Sequence, residues 1–275
     1  MKFKIKNRKI TVFTIILILI SQLYIPPSNS ETGSYEYITE DLDVLQRSSN
    51  LRLDEWFQPV NIDNDPTPEL VGLIQNGIGA GKYNPETKDF EVIWEIPDIF
   101  PRSQSWNLGD TNHDEEDELV IYTDNDSGTL TGYNPATGNK IWEQNLEDYE
   151  FRDNKVFGLE IADWDKDNQD EIIFGTFLPE EYQTGIIIMS NNQGSLETEQ
   201  IIPLEIERSE LHLIHSCDLD QDGNLELIIQ DNGLLLIENS PSGYSQSRID
   251  FHYVAHTTSG DTNEDGKPEL ITIAK

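Results

Sequence analysis

Residues Asp218–Gln230 read DLDQDGNLELIIQ. Acidic side chains occupy the first, third and fifth positions of this stretch, a glycine the sixth and a glutamate the ninth, and an aliphatic run follows. Oxygen-bearing side chains at alternate positions of a tight loop converge on one point, and a glycine at the sixth position permits the positive φ that turns the chain back. The aliphatic run is typical of a buried strand. The stretch therefore predicts a metal-binding loop that leads into a β-strand.

Four more segments carry this pattern, and together with the first they organise the chain. Their starts, with the one at position 218, are separated by 49, 53, 55 and 43 residues, which suits the ~40–50 residues of a four-stranded propeller blade. The spacing predicts an all-β fold over residues 31–275: a five-bladed β-propeller of four-stranded antiparallel blades. The four segments begin at Asn61 (NIDNDPTPELVGLI), Asp110 (DTNHDEEDELVIY), Asp163 (DWDKDNQDEIIFG) and Asp261 (DTNEDGKPELITI).

The two ends of the repeat region predict how the array closes. The fifth unit ends at Lys275, just after its second predicted strand. The segment Tyr35–Leu45 has strand-like apolar spacing. We expect it to supply an outer strand of the fifth blade and so to remove an exposed sheet edge. An open array, or a ring completed by another subunit, is the alternative.

The first thirty residues resemble a secretory signal. A basic stretch precedes the apolar run Ile10–Ile20, and two prolines and the small residues Ser28 and Ser30 follow. The alternative is an uncleaved membrane anchor, although the run is shorter than the ~20 residues that a membrane span needs. We therefore expect a secreted or cell-surface protein that contacts a membrane only if this segment is retained.

The net charge of the chain limits the partners that it can bind. The chain has 52 Asp and Glu against 18 Lys and Arg, a net charge of −34. Such a chain repels nucleic acid and anionic membrane surfaces, and its self-repulsion makes bound cations a physical need. Its single cysteine, Cys217, cannot form an internal disulfide, and its apolar neighbours predict a buried, inert thiol.

EF-hands begin in a similar way but require a bidentate glutamate at position 12 and flanking helices. No acidic residue occupies position 12 in any of the five segments, and β-type aliphatic runs follow position 9, so an EF-hand is excluded. The residues at position 12 are Gly72, Ile121, Phe174, Ile229 and Thr272.

The segments resemble the FG-GAP/VCBS repeats of integrin α-subunit-like propellers and many bacterial surface proteins. The resemblance covers nearly all of residues 35–275 and implies a calcium ion in each loop, between the first two strands of a blade. The implied ligands are the side chains at positions 1, 3, 5 and 9 together with the carbonyl at position 7. The side chains are Asn61, Asp63, Asp65 and Glu69; Asp110, Asn112, Asp114 and Glu118; Asp163, Asp165, Asp167 and Glu171; Asp218, Asp220, Asp222 and Glu226; and Asp261, Asn263, Asp265 and Glu269.

Two loops depart from the repeat pattern. Glu115 replaces the glycine of the second loop, which costs about 1 kcal/mol of backbone strain. Pro66 stands there in the first loop and cannot reach a positive φ, and Asn61 lowers the ligand charge. The first loop is therefore expected to bind weakly or to hold its turn without metal, and the strongest expectation is for loops three to five. For all five, acidic surface hairpins without an ion are the alternative.

The remaining motifs give no catalytic site. The chain has no HExxH sequence, nucleophile elbow, P-loop or dinucleotide fingerprint, and His113 is expected to point outward from its loop. Trp94 and Trp142 recur at one repeat position and predict core packing. The connections between second and third strands, expected to include Gln75–Lys82, would lie opposite the acidic loops and form a recognition surface.

These features predict a non-catalytic, calcium-binding adhesion or interaction module whose partner is a protein or a surface glycan. The alternative is a polysaccharide-active enzyme, a lyase or hydrolase, on a calcium-stabilised propeller. A lyase would need a basic residue poised over an acidic sugar, which fits poorly with so few Lys and Arg side chains.

Overall fold

A computed structural model describes most of the chain after residue 56. The predicted signal segment and Tyr35–Leu45 lie outside the described residues, and the chain divides into two compact units, Met1–Ile99 and Phe100–Lys275. The described residues are 57–62, 68–84, 86–87, 89–101, 105–124, 128–149, 152–179, 183–192, 194–206, 211–231, 233–240, 243–249, 254–262 and 266–274.

The described part of the first unit contains one antiparallel sheet, the first sheet, with its strands in chain order. Ile74 and Phe90 are buried in its core. The strands are β1 (Phe57–Val60), β2 (Glu69–Ile74), β3 (Gly77–Asn84) and β4 (Asp89–Pro97).

The described part of the second unit contains three four-stranded antiparallel sheets and a two-stranded one, each ordered as in the chain. A short 3-10 helix, Leu146–Tyr149, links the second and third sheets. The second sheet is β5 (Trp106–Gly109), β6 (Glu118–Thr123), β7 (Thr129–Tyr133) and β8 (Lys140–Asn145); the third is β9 (Arg152–Ala162), β10 (Glu171–Phe177), β11 (Thr184–Asn192) and β12 (Ser195–Pro203); the fourth is β13 (Leu213–Cys217), β14 (Glu226–Gln230), β15 (Leu234–Ser240) and β16 (Gly243–Ile249); the fifth is β17 (Val254–Gly260) and β18 (Glu269–Ala274).

Consecutive sheets of the second unit pack face to face. The third sheet is covered on both faces: Phe174 packs into a cluster shared with the second sheet, and Ile173 into one shared with the fourth. A strand buried on both faces needs no polar alternation, which explains the unbroken aliphatic run of β10. The first strands also contact in series, β5 with β9, β9 with β13 and β13 with β17.

The all-β prediction is confirmed, because the described residues form antiparallel, mainly four-stranded sheets and contain no α-helix. The described sheets are separate and open, so a closed five-bladed ring stays a prediction. Trp94 and Trp142 are buried as expected, at 9% and 6% exposure. No helix among the described residues is long and apolar enough to span a bilayer.

Two local expectations were wrong. The segment Gln75–Lys82 is not a loop, since β2 and β3 are joined by the tight turn Gln75–Asn76. The glycines that suggested a loop lie in β3, where a Cβ at Gly79 would come within 2.6 Å of the Trp94 carbonyl oxygen on β4. Cys217 is half-buried, not buried.

Candidate metal centre

The acidic loops (residues 61–69, 110–118, 163–171, 218–226 and 261–269) each join the first and second strands of a sheet. In all five, one carboxylate oxygen of the position-9 glutamate accepts a hydrogen bond from the backbone N–H of position 2. The donors and distances are Ile62 at 3.0 Å, Thr111 at 3.0 Å, Trp164 at 2.7 Å, Leu219 at 2.7 Å and Thr262 at 2.8 Å. One oxygen of the glutamate therefore closes the loop by a hydrogen bond. The other oxygen can bind a second partner.

A second contact recurs in the four loops of the second unit. The position-1 aspartate accepts a hydrogen bond from the backbone N–H of position 6, at 2.8–3.1 Å. Position 6 has the predicted positive φ in all four, including the non-glycine residues Glu115 (68°) and Asn168 (68°). Pro66 lies outside the described residues.

Position 4 also has a positive φ, which the sequence did not reveal. The angles are 65° at His113, 67° at Lys166 and 62° at Gln221. In these three loops, two residues with left-handed backbone conformation, separated by one residue, therefore curl the chain inward. The expectation that His113 simply points outward was wrong, because the residue is half-buried and its Nδ1 is buried without a hydrogen-bond partner.

The fourth loop brings its predicted ligands together. Oxygens of Asp218, Asp220, Asp222 and Glu226 all lie within 4.8 Å of one another. Asp218 Oδ1 is buried and accepts no hydrogen bond. Glu226 is 4% exposed, and its burial raises the pKa of the carboxyl, an effect reinforced by Asp220 and opposed by the Leu219 N–H. Four acidic groups thus converge around a buried oxygen that has no donor.

The third loop has the same arrangement with three groups. Asp163, Asp165 and Glu171 offer oxygens within 4.8 Å of one another, whereas Asp167 lies outside this group. Asp163 Oδ1 is buried without a hydrogen-bond partner. Burial raises the pKa of Glu171 to about 8, with the charge of Asp165 adding to the effect.

The second loop satisfies its oxygens internally. Asp110 Oδ1 accepts the N–H groups of His113 (2.7 Å) and Asp114 (3.1 Å), and its Oδ2 accepts that of Glu115 (2.9 Å). Asn112 Nδ2 donates to Glu118 Oε1 at 2.6 Å, so both oxygens of this glutamate have donors. Asp110, Asn112, Asp114 and Glu118 therefore form a hydrogen-bonded turn.

The first loop contains a built-in cation. Lys82 Nζ lies 3.2 Å from Glu69 Oε1, a carboxylate oxygen that is fully buried and makes no hydrogen bond. Lys82 belongs to β3, on the strand next to the glutamate. The ammonium thus supplies a positive charge beside the position-9 glutamate of this loop. Asp63 and Asp65 lie outside the described residues.

The fifth loop is described only at its two ends. Asp261 accepts the Gly266 N–H, and Glu269 accepts both the N–H and the hydroxyl of Thr262. Asn263 and Asp265 lie outside the described residues, so the convergence of this loop stays a prediction.

Neighbouring loops of the second unit contact one another. Asp170 Oδ2 of the third loop accepts the N–H of Asp110 at 3.1 Å, and Gln221 of the fourth loop donates to the carbonyl of Gly266 in the fifth at 2.8 Å. The charge of Lys166 in the third loop helps to lower the pKa of Asp222 in the fourth, after the larger effect of the hydrogen bonds from Asn224. Hydrogen bonds therefore join the second loop to the third and the fourth to the fifth, and a charge interaction links the third to the fourth.

The arrangement is suited to a hard dication. Calcium takes six to eight oxygen ligands with irregular geometry. The buried, donor-free oxygens of Asp163 and Asp218 fit such an ion, because an unpaired buried carboxylate is otherwise costly. The third and fourth acidic clusters could therefore hold a metal ion, whereas the first and second loops have partners for the same oxygens.

A polar network on the first strands was not found from the sequence. Glu160 of β9 accepts hydrogen bonds from the N–H (2.9 Å) and hydroxyl (2.6 Å) of Ser216 on β13 and from Asn107 Nδ2 (3.0 Å) on β5. His215 Nδ1 lies 3.6 Å from the same carboxylate, and its Nε2 lies 2.7 Å from Ser259 Oγ on β17. Burial raises the pKa of Glu160 to about 7. The sequence did carry a signal for this network: a polar residue lies three positions before the start of the second, third and fourth loops. These residues are Asn107, Glu160 and His215.

Comparisons with known proteins give structural likeness alone. No family model and no curated protein sequence matches the chain. Similar solved structures are a Bacillus licheniformis rhamnogalacturonan lyase PL11 and the rhamnogalacturonan lyase YesW, each with a TM-score of 0.45 and 14% identity. Each alignment covers 80% of this chain and 55% of the lyase, so the chain spans little more than half the length of either enzyme. A likeness at this level carries no argument about activity.

Proposed function

We propose that this chain is an exported calcium-binding repeat protein of the FG-GAP/VCBS type, whose sheets are the blades of a propeller and whose role is to bind a protein or glycan outside the cytoplasm. One observation supports it above the others: in the third and fourth loops, carboxylates converge around a buried oxygen that has no hydrogen-bond donor. A bound cation satisfies such an oxygen and also offsets the mutual repulsion of the converging carboxylates, which a neutral donor does not.

In this proposal the calcium ions are structural. Asp163, Asp165 and Glu171 would hold one ion, and the four acids of the fourth loop a second. Calcium supplies positive charge that offsets part of the net charge of −34. The ions bind the folded loops and not the unfolded chain, so they stabilise the fold by mass action.

Calorimetry tests the proposal. Titration of the metal-free protein with calcium should show at least two sites, and scanning calorimetry should show a lower melting temperature in EDTA than in calcium. Magnesium at equal concentration is the control, since it demands stricter octahedral geometry and should stabilise less. An absence of calcium binding together with an unchanged melting temperature contradicts the proposal.

The polysaccharide-active enzyme remains the second candidate, and the two similar structures carry the name of such an enzyme. An assay for new reducing ends and for absorbing unsaturated products on rhamnogalacturonan and other pectic polymers separates the candidates. Binding without product favours the interaction module, and calcium-dependent product release favours the enzyme.

A further inference from the structure

We propose that the cavity beside the fourth loop binds a neutral sugar unit of a glycan. The inference rests on the proposed function, because the same loop would hold calcium, and it names the class of ligand that the module would take.

The cavity has a volume of about 280 Å³. This is slightly below the ~300–1,000 Å³ of typical small-molecule sites, so the space suits one small ring rather than a drug-sized ligand. The acidic loop forms one wall and the β15–β16 hairpin forms the other. The lining residues are Asp220, Asp222, Glu226, Glu238, Asn239, Ser240, Gly243, Tyr244 and Ser245.

The acidic wall has carboxylate oxygens that accept no hydrogen bond from the described protein residues. Glu226 is 4% exposed, lines the cavity, and uses Oε2 to accept the Leu219 N–H at 2.7 Å; the described residues give Oε1 no hydrogen bond. Asp218 Oδ1, behind it in the loop, is buried without a partner. Glu226 also lies directly opposite Glu238 in the β14–β15 ladder, where two like charges destabilise the pairing. The wall is therefore rich in negative charge and in oxygens that can bind a cation or accept hydrogen bonds from hydroxyl groups.

The hairpin wall offers what a sugar ring needs. Tyr244 is 38% exposed at the cavity and presents an aromatic face to which the apolar C–H face of a sugar can stack. Ser245 Oγ donates to Glu238 Oε2 at 2.9 Å, which orients that carboxylate while its other oxygen can accept a sugar hydroxyl. Aromatic surface beside hydroxyl-accepting carboxylates is the chemistry that recognises a polyol.

The charge balance selects a neutral sugar over an acidic one. Five carboxylates surround the shared loop and cavity, and one dication offsets only two of their charges. The net field stays negative, so a uronate is repelled, whereas a neutral ring can donate its hydroxyls to the remaining oxygens. The five are Asp218, Asp220, Asp222, Glu226 and Glu238.

The test uses sugars that differ in charge. Neutral tetrasaccharides of galactose, glucose, mannose and xylose are titrated into the calcium-saturated protein beside tetragalacturonate. At least one neutral sugar should bind, and tetragalacturonate should bind at least about tenfold more weakly than that sugar. Tyr244→Ala should weaken sugar binding by about tenfold through the lost stacking face. Ile249→Ala is the matched control, since Ile249 is 42% exposed on the same strand but does not line the cavity.

Several results overturn the inference: no neutral sugar binds, tetragalacturonate binds as tightly as the neutral sugars, or Tyr244→Ala binds like the parent. Binding of a tetralysine peptide in place of any sugar would assign the cavity to a basic protein partner. The same samples are titrated with calcium. Calcium binding without sugar binding removes this inference alone, whereas the absence of calcium binding removes the proposed function as well.

Discussion

The second and fourth acidic loops share a residue spacing but direct their carboxylates differently. Asp110 uses both oxygens to accept backbone N–H groups of its own loop, whereas Asp218 keeps Oδ1 buried and unpaired. Position 3 accounts for part of the difference, because Asn112 can donate to its glutamate and Asp220 cannot. The amide of Asn112 thus gives its glutamate a hydrogen bond that Asp220 cannot give Glu226.

In the first loop, the position-9 glutamate has a third kind of partner. Lys82 brings a positive charge to Glu69 from the neighbouring strand. In the fourth loop the strand partner of the glutamate is Glu238, of opposite charge to lysine. A position-9 glutamate therefore needs a cationic or hydrogen-bond-donating partner. The residue opposite it on the third strand of the sheet helps to decide which partner it has.

The largest effect is expected from removing one charge at position 1. Asp218→Asn should weaken calcium binding at the fourth loop by about a hundredfold, because ligand charge tunes the affinity of such sites. Asp110→Asn, the matched change in the second loop, should leave the tight sites unaltered. Calorimetric titration with calcium measures the affinity of both variants. Equal losses of calcium affinity would contradict the proposed difference between the two loops.

Glu160 is an acid that lies outside the acidic loops, and calcium should not bind it. The folded-state pKa of Glu160 is raised to about 7 from 4.5. Its stabilising contribution is therefore complete below pH 4.5 and is lost as the pH rises through about 7. Between pH 5 and 7 this group should reduce the unfolding free energy by about 2 kcal/mol, a slope missing in Glu160→Gln.

Denaturant titrations of both proteins at several pH values, with and without calcium, measure this slope. Identical pH profiles for the parent and Glu160→Gln would show that the carboxyl has the same pKa in the folded and unfolded states.

The lysine of the first sheet should matter for stability rather than affinity. Lys82→Met leaves the carboxylate of Glu69, which is fully buried, without its counter-charge and should cost about 1–3 kcal/mol. Lys140→Met is the control, since Lys140 and Glu143 are both about half exposed and such pairs contribute about 0–1 kcal/mol. Chemical denaturation measures both variants, and a loss no greater than that of the control would remove Lys82 as an internal cation.

The smallest effect is expected from converting the second loop. Asn112→Asp replaces the amide donor with a ligand and should tighten calcium binding there by about fivefold. Asn139→Asp adds the same charge to an exposed turn of the same sheet and should change calcium binding little. If Asn112→Asp titrates like the parent, the backbone bonds to Asp110, not the amide, close this loop.

Much of the fold follows from the sequence because the repeat is local. The loop pattern, the aliphatic run after Glu226 and the glycine or asparagine at position 6 each act within a few residues, and the strands begin where they predict. Gln75–Lys82 was misjudged because a glycine-rich strand resembles a loop until the close approach of its neighbour is known.

The site was less predictable because it depends on register and side-chain direction. The approach of Lys82 to Glu69 depends on how β2 pairs with β3, and the choice between a free and a bonded oxygen at Asp218 and Asp110 depends on a few torsion angles. The ligand residue types of the third and fourth loops were predictable, whereas the separation of Asp167 from its group was not.

The contacts between neighbouring loops make them thermodynamically linked. Gln221 donates to the carbonyl of Gly266, so in the proposed calcium-bound protein an ion that orders the fourth loop would also restrain part of the fifth; the bond from the Asp110 N–H to Asp170 joins the second and third loops in the same way. Such a linkage is reciprocal, and the second ion then pays less ordering entropy than the first. In a medium of fluctuating calcium, the fourth and fifth loops would then fill and empty over a narrower concentration range than independent sites.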